Sequence, residues 1–355
     1  MHPLYRKTRQ KTLIIGSFAI LIGFFGTFIP VLPGTLFVVL GLSVLSLQSK
    51  IALRTLISVR TRYPKLASPV KHAETWLVDF FNLTTHRREY VSVPRDTEGT
   101  TLSVLAEPTE FVAGTAILLH SASGTAETDV MNTLAEAFKI RGFCVVRFDA
   151  YNSLGDSSGD FSKFTTTSYR KDLECVIEWA GSEPWWQEPL VLVGHSLGGL
   201  VAGMYAREHQ AEVDELVLLA PTLSGQSYVE TYLRNNKEDF DTWKSTSERL
   251  IEHPISHAEF SLPFSFVEDM EQYSLLPTDK NLPIPTTVFA GENDITSDYS
   301  ELKTFCEKVG NHATLKKLKG VGHTPRTRHD IEVLAQALSK LRLKATSSVC
   351  NTITS

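Results

Sequence analysis

The sequence predicts an α/β protein, with a mostly parallel β-sheet covered by helices on both faces and an apolar segment ahead of it. Three observations carry this expectation. From about residue 86 to 344, short Val/Leu/Ile-rich runs alternate with helix-length amphipathic stretches, the pattern of strands buried on both faces between crossover helices. One such junction holds Gly194-His195-Ser196-Leu197-Gly198. The first 73 residues differ in charge from everything after them. They hold ten of the 35 Lys/Arg and none of the 40 Asp/Glu, which leaves the remainder at 25 against 40, a net of −15. An acidic body argues against a nucleic-acid partner, which needs a basic footprint.

Residues 12–49 contain no charged side chain. The run is too long for one simple span of about 20 residues, and Pro30, Pro33 and Gly34 interrupt its middle. Proline disrupts a helix interior and Pro-Gly favours a turn, so a helical hairpin is expected. Arg6, Lys7, Arg9 and Lys11 precede the run, and Lys50, Arg54, Arg60, Arg62 and Lys65 follow it. Lys/Arg flanks favour the cytoplasmic side. Both ends, and the body attached to them, are therefore expected on the cytoplasmic face of an inner or cytoplasmic membrane, with membrane lipids as partners of residues 1–73. A single kinked span is the alternative and would put the body on the far side. A cleaved signal peptide fits poorly, because the apolar core is too long and no small-residue cleavage site is evident. The stretch IPVLPGTLFVVLGLSVLS resembles small PGPGW-type transmembrane domains, although Phe37 stands nearby and no Trp does.

Residues 88–94 and 100–108, split by Asp96-Thr97-Glu98-Gly99, read as a hairpin. Apolar strands are expected at 115–120, 144–150, 189–196, 215–221, 286–291 and 313–318. Helices are expected at 127–140, 169–180, 197–209, 299–309 and 330–343. Between 222 and 283 the alternation fails. This aromatic and charged insertion, with Trp243, Phe260, Phe264 and Phe266, is expected to be a helical lid over the carboxyl edge of the sheet, where open α/β sheets bind ligands. Residues 345–355, rich in Ser and Thr, read as a frayed tail. Cys144, Cys175, Cys306 and Cys350 form neither a CxxC nor a Cys/His metal pattern and read as free thiols.

The Gly-x-Ser-x-Gly sequence follows a Val/Leu strand and opens a helix. In that context the turn lifts the Ser196 hydroxyl clear of the sheet at a helix N-terminus. A serine nucleophile needs a base, and the base needs an orienter. Asp294, in FAGENDITS, and His323, in KGVGHTPR, each follow a strand on the same edge, so Ser196, Asp294 and His323 are the expected triad. Glu292 is the rival of Asp294. The oxyanion hole is expected from the amides of Leu197 and Ala122, the latter in HSASG at 120–124, where Ser121 stands in place of a usual Gly. His253 and His257, four apart, would suit a metal if helical, but no acidic third ligand is evident. No P-loop or dinucleotide fingerprint is present.

Residues from about 89 to 342, with HSASG, FDAYNSLGDSSGDF, LVGHSLGGLVAGMYA, VLLAP, AGENDIT and GVGHT, resemble serine hydrolases of the α/β-hydrolase superfamily, in the branch of feruloyl esterases, monoacylglycerol lipases and serine aminopeptidase-like enzymes. The resemblance implies attack by Ser196 on an acyl carbonyl, an acyl-enzyme, hydrolysis by water and no cofactor. The stretch at 149–159 resembles a DxxGxGxSxG loop and reads as structural. The expected activity is cleavage of a carboxylic ester, of small-molecule or lipid type. Peptidase, amidase or thioesterase chemistry on the same triad is an alternative, as is a non-catalytic membrane scaffold of the same fold.

Overall fold

A computed structural model describes residues 89–109, 113–276 and 282–343, and isolated positions at 17, 18, 20, 41 and 45. The expected hairpin over 12–49, its PGPGW likeness and the 345–355 tail lie outside the described residues, apart from those isolated positions. Among the described residues no helix is long and apolar enough to cross a membrane. The chain divides into two compact units. One comprises Met1–Arg87, Pro108–Ala113 and Lys139–Phe143; the other comprises Arg88–Glu107, Gly114–Phe138 and Cys144–Ser355.

Strands β1 (Glu89–Pro94), β2 (Thr101–Glu107) and β3 (Gly114–Leu119) lead to helix α1 (Asp129–Lys139). Then come β4 (Phe143–Phe148), α2 (Thr166–Ser182), β5 (Leu190–His195), α3 (Leu197–Glu208) and β6 (Glu215–Leu219). The insertion holds α4 (Gly225–Asn235), α5 (Lys237–Thr246), β7 (Glu248–Glu252), β8 (Glu259–Pro263) and α6 (Ser265–Met270). The chain ends its regular structure with β9 (Thr286–Gly291), α7 (Tyr299–Val309), β10 (Ala313–Leu318) and α8 (Arg328–Ser339).

The main sheet has the order β1-β2-β4-β3-β5-β6-β9-β10. β1 and β2 pair antiparallel, and β2 pairs antiparallel with β4. β3, β5, β6, β9 and β10 pair parallel in succession. Every residue of β3, β5, β6 and β9 is buried, which is why these segments are continuously apolar rather than alternating. The outer strand β1 alternates in exposure instead. After β3 the chain goes to one side for β4 and returns past β3 for β5. Such a reversal opens a crevice at the carboxyl ends of the central strands.

Local chemistry sets the helix ends. α2 starts at Thr166 rather than the expected 169, because the Thr165 side chain accepts from Ser168 N–H as an N-cap. α8 starts at Arg328 because Thr327 and Asp330 form a reciprocal capping box, and it stops at Ser339, short of the expected 343.

The insertion is helical in α4, α5 and α6, and it also holds a β-hairpin that was not expected from the sequence. β7 and β8 form an antiparallel hairpin within it. β7 alternates exposed and half-buried residues, a period of two that helix-like composition concealed. Ser247, at φ 61, ends α5 and turns the chain into the hairpin. His253 and His257 sit in the hairpin turn, not on a helix. His253 Nδ1 accepts from the N–H groups of Ile255 (3.1 Å) and Ser256 (3.0 Å), so its Nε2–H donates to the Leu154 carbonyl at 3.2 Å. His257 pairs with Glu252. Among the described residues no cluster of three potential ligands could hold a metal ion.

Candidate active site

The site is assembled from loops at the carboxyl ends of β3, β5, β9 and β10. Ser196 joins β5 to α3 at φ 55 and ψ −118. A non-glycine residue there costs roughly 1–3 kcal/mol and persists only where surroundings impose it. The Ser196 N–H donates to Leu219 O (3.0 Å), and its carbonyl accepts from Gly199 N–H (2.9 Å) and Thr222 N–H (3.1 Å). The flanking glycines are forced by proximity. A Cβ at Gly194 would lie 2.3 Å from Gly198 O, and one at Gly198 would lie 2.4 Å from Leu119 O and 2.6 Å from His120 O. The turn thus presses α3 against the end of β3.

Asp294 and His323 reach Ser196 from loops that are zipped together. Asn293 N–H donates to Val321 O at 2.9 Å, and a Cβ at Gly291 would meet Gly322 O at 2.5 Å. His323 Nε2 lies 2.8 Å from Ser196 Oγ, and His323 Nδ1 lies 2.9 Å from Asp294 Oδ2. A carboxylate at Nδ1 fixes the proton there, so Nε2 is the acceptor for the serine hydroxyl. Asp294 Oδ1 accepts from the amides of Thr296 (2.7 Å) and Ser297 (2.9 Å), which locks the carboxylate. The Asp294 side chain is 2% exposed and that of His323 19%. Glu292 turns elsewhere: it accepts from Gly320 N–H at 3.0 Å and lies 3.8 Å from Lys317 Nζ.

Leu197 is the first residue of α3, where an amide has no intrahelical acceptor. Ala122 lies in a turn closed by Gly124 N–H to Ser121 O at 2.9 Å. Its neighbour His120 is fully buried. His120 Nδ1–H donates to Ser121 O (2.7 Å), and its Nε2 accepts from Ala150 N–H (3.1 Å). Burial lowers its pKa and holds it neutral. The Tyr169 hydroxyl donates to His120 O at 3.1 Å. Sequence reasoning assigned neither residue, because a buried loop histidine and a helix tyrosine carry no motif.

The loop at 149–159 is structural. Asp149 accepts from Ala126 N–H (2.7 Å) and Asp156 N–H (3.0 Å), and a Cβ at Gly155 would lie 2.0 Å from its carboxyl carbon.

Known proteins share this architecture. Est1E from Butyrivibrio proteoclasticus, solved with ferulic acid bound, superposes with a TM-score of 0.58 at 19% identity over 73% of this chain and 98% of its own. The α/β-hydrolase domain-containing protein 10 from mouse superposes at 0.55, with 17% identity over 75% and 99%. The esterase domain of a Rhodothermus marinus protein superposes at 0.53, with 17% identity over 71% and 96%. The chain has the α/β-hydrolase fold. A family model described as serine aminopeptidase, S33, matches residues 114–269, a stretch that includes the Ser196 turn but ends before Asp294 and His323. The match, the α/β-hydrolase fold and the Ser196–His323 contact support a serine hydrolase of the α/β-hydrolase superfamily. A search of the curated proteins finds no match to the sequence.

Proposed function

We propose that this protein is a membrane-anchored carboxylic ester hydrolase. Ser196 attacks the acyl carbonyl, His323 takes its proton and passes it to the leaving alcohol, and Asp294 holds the imidazole and offsets its positive charge. Water, deprotonated by the same histidine, then releases the acid. The amides of Leu197 and Ala122 receive the developing oxyanion. The single observation that carries this reading is the continuous Ser196–His323–Asp294 hydrogen-bond relay at 2.8 and 2.9 Å. Relay distances within hydrogen-bond reach count against a non-catalytic scaffold.

An ester is favoured by the esterases among the structural neighbours. A hydrophobic or lipid acyl group is favoured by exposed apolar side chains at Ile295, beside Asp294, and at Leu250 and Phe260 of the insertion hairpin. The uncharged run at 12–49 and its basic flanks supply the anchor and a cytoplasmic orientation. Amide hydrolysis is the second reading, favoured by the serine aminopeptidase family match.

A fluorophosphonate probe labels the wild type on this reading and fails to label Ser196→Ala. Undiminished labelling of Ser196→Ala refutes the nucleophile. Turnover of p-nitrophenyl acyl esters without release from aminoacyl amides separates ester from amide chemistry, and the reverse result selects the second reading.

A further inference from the structure

His323 is a loop residue with a demanding task. Its ring must stay within hydrogen-bond reach of Ser196 and Asp294 at once, yet no helix or strand holds it. Two residues outside the triad meet it. At the backbone, His195 Nε2 lies 3.1 Å from the His323 carbonyl. A carbonyl only accepts, so Nε2 carries the proton. His195 is the last residue of β5, 2% exposed, and its ring centroid lies 5.7 Å from that of His323. Burial, with His323 beside it, pushes its pKa down to about 3. It therefore remains a neutral donor when His323 becomes charged.

At the ring, Ser297 Oγ lies 3.4 Å from His323 Nδ1. The Ser297 hydroxyl donates toward the carbonyls of Ala220 (3.0 Å) and Pro221 (3.2 Å), just past β6. Its lone pairs are then left for Nδ1–H, the longer branch of a three-centre bond whose shorter branch goes to Asp294. Ser297 is 7% exposed.

We propose that His195 and Ser297 are positioning residues that clamp His323 between the ends of β5 and β6, one through its carbonyl and the other through Nδ1. This rests on the hydrolase reading above. The clamp fixes the ring against the strands that carry Ser196, and Ser297 adds an acceptor to the imidazolium formed during proton transfer. The titratable groups these contacts bring to His323 are Asp294 and His195. A merely structural role would affect folding alone; a positioning role shows in kcat and in the pH profile.

The test compares His195→Phe and Ser297→Ala, which remove the hydrogen-bonding groups, with His195→Gln and Ser297→Thr, which retain one. The full chain in detergent is assayed on a p-nitrophenyl butyrate substrate, with Ser196→Ala alongside. The removing variants are expected to lose about tenfold in kcat with KM within about twofold, while the retaining variants recover most of it. Ser297→Ala also moves the acidic limb of kcat/KM to lower pH, because the imidazolium loses an acceptor. The double removing variant loses less than the product of the single losses, since both act on one ring. If Ser196→Ala is inactive while His195→Phe and Ser297→Ala keep wild-type kcat and an unmoved limb, the clamp is wrong and the triad stands. If Ser196→Ala retains activity, the hydrolase reading itself fails. Should His195→Phe not fold, Ser297→Ala, which deletes one hydroxyl, decides alone.

Discussion

At the residue scale, the choice between Asp294 and Glu292 shows how geometry resolves a chemical tie. Both carboxylates follow β9 within three residues, and either could orient a histidine. Only Asp294 faces His323, with two backbone amides on its other oxygen, while Glu292 caps Gly320. Asp294→Asn is expected to lower kcat on the order of a thousandfold or more, because the amide no longer holds the productive tautomer. Glu292→Gln is expected to leave kcat within about twofold. Steady-state kinetics on one ester checks both; equal losses would reverse the assignment.

The buried histidines give a second residue-scale expectation. The His195 pKa in the fold, about 3, lies below its ordinary 6.5, and that of His120 is also lowered. The unfolded chain takes up protons as pH falls below about 6.5 that the folded chain refuses. Stability is therefore lost between about pH 6.5 and 3 and is unaffected above that window. At pH 5 the loss from His195 is about 2 kcal/mol. Urea unfolding of wild type and His195→Gln at pH 7 and pH 5 tests this: the variant should lose less stability between the two, and an identical loss would show that His195 is not the source.

At the scale of elements, the glycines of the β5–α3 turn were visible as a motif, but the reason for them is contact. Gly198 abuts the carbonyls of Leu119 and His120, so the nucleophile turn and the β3 loop are built as one piece. The insertion was legible as a break in alternation with helix-like stretches, but its hairpin was not. Its hairpin depends on tertiary partners: Trp243 Nε1–H donates to Leu262 O at 2.9 Å across α5 and β8, and the indole packs edge-on to Phe264. Trp243→Phe keeps the aromatic body and leaves that carbonyl without its donor. A loss of about 1–3 kcal/mol is expected, read as a shift in the urea midpoint; an unchanged midpoint would mean that the hairpin is held without this bond.

At the scale of the whole molecule, the charge split between residues 1–73 and the acidic remainder is the basis for the membrane location we propose. Deletion of 12–49 is expected to move the protein from the membrane fraction to the soluble one while probe labelling at Ser196 persists. Retention in the membrane fraction would place the anchor elsewhere. Protease added outside intact cells should spare the hydrolase domain if both flanks are cytoplasmic, and digestion would favour the single kinked span.

The sequence by itself determined the α/β class, the buried central strands, the Ser196 turn and the order of Asp294 and His323 along the chain. Those features rest on local periodicity and on residue types that a tight turn requires, and both are written in neighbouring positions. Tertiary structure decided the rest: which carboxylate meets His323, how the insertion pairs, and that His195 and Ser297 touch the histidine. Those outcomes depend on contacts between residues from 7 to 128 positions apart. Burial and backbone direction select such contacts, and no local pattern encodes them.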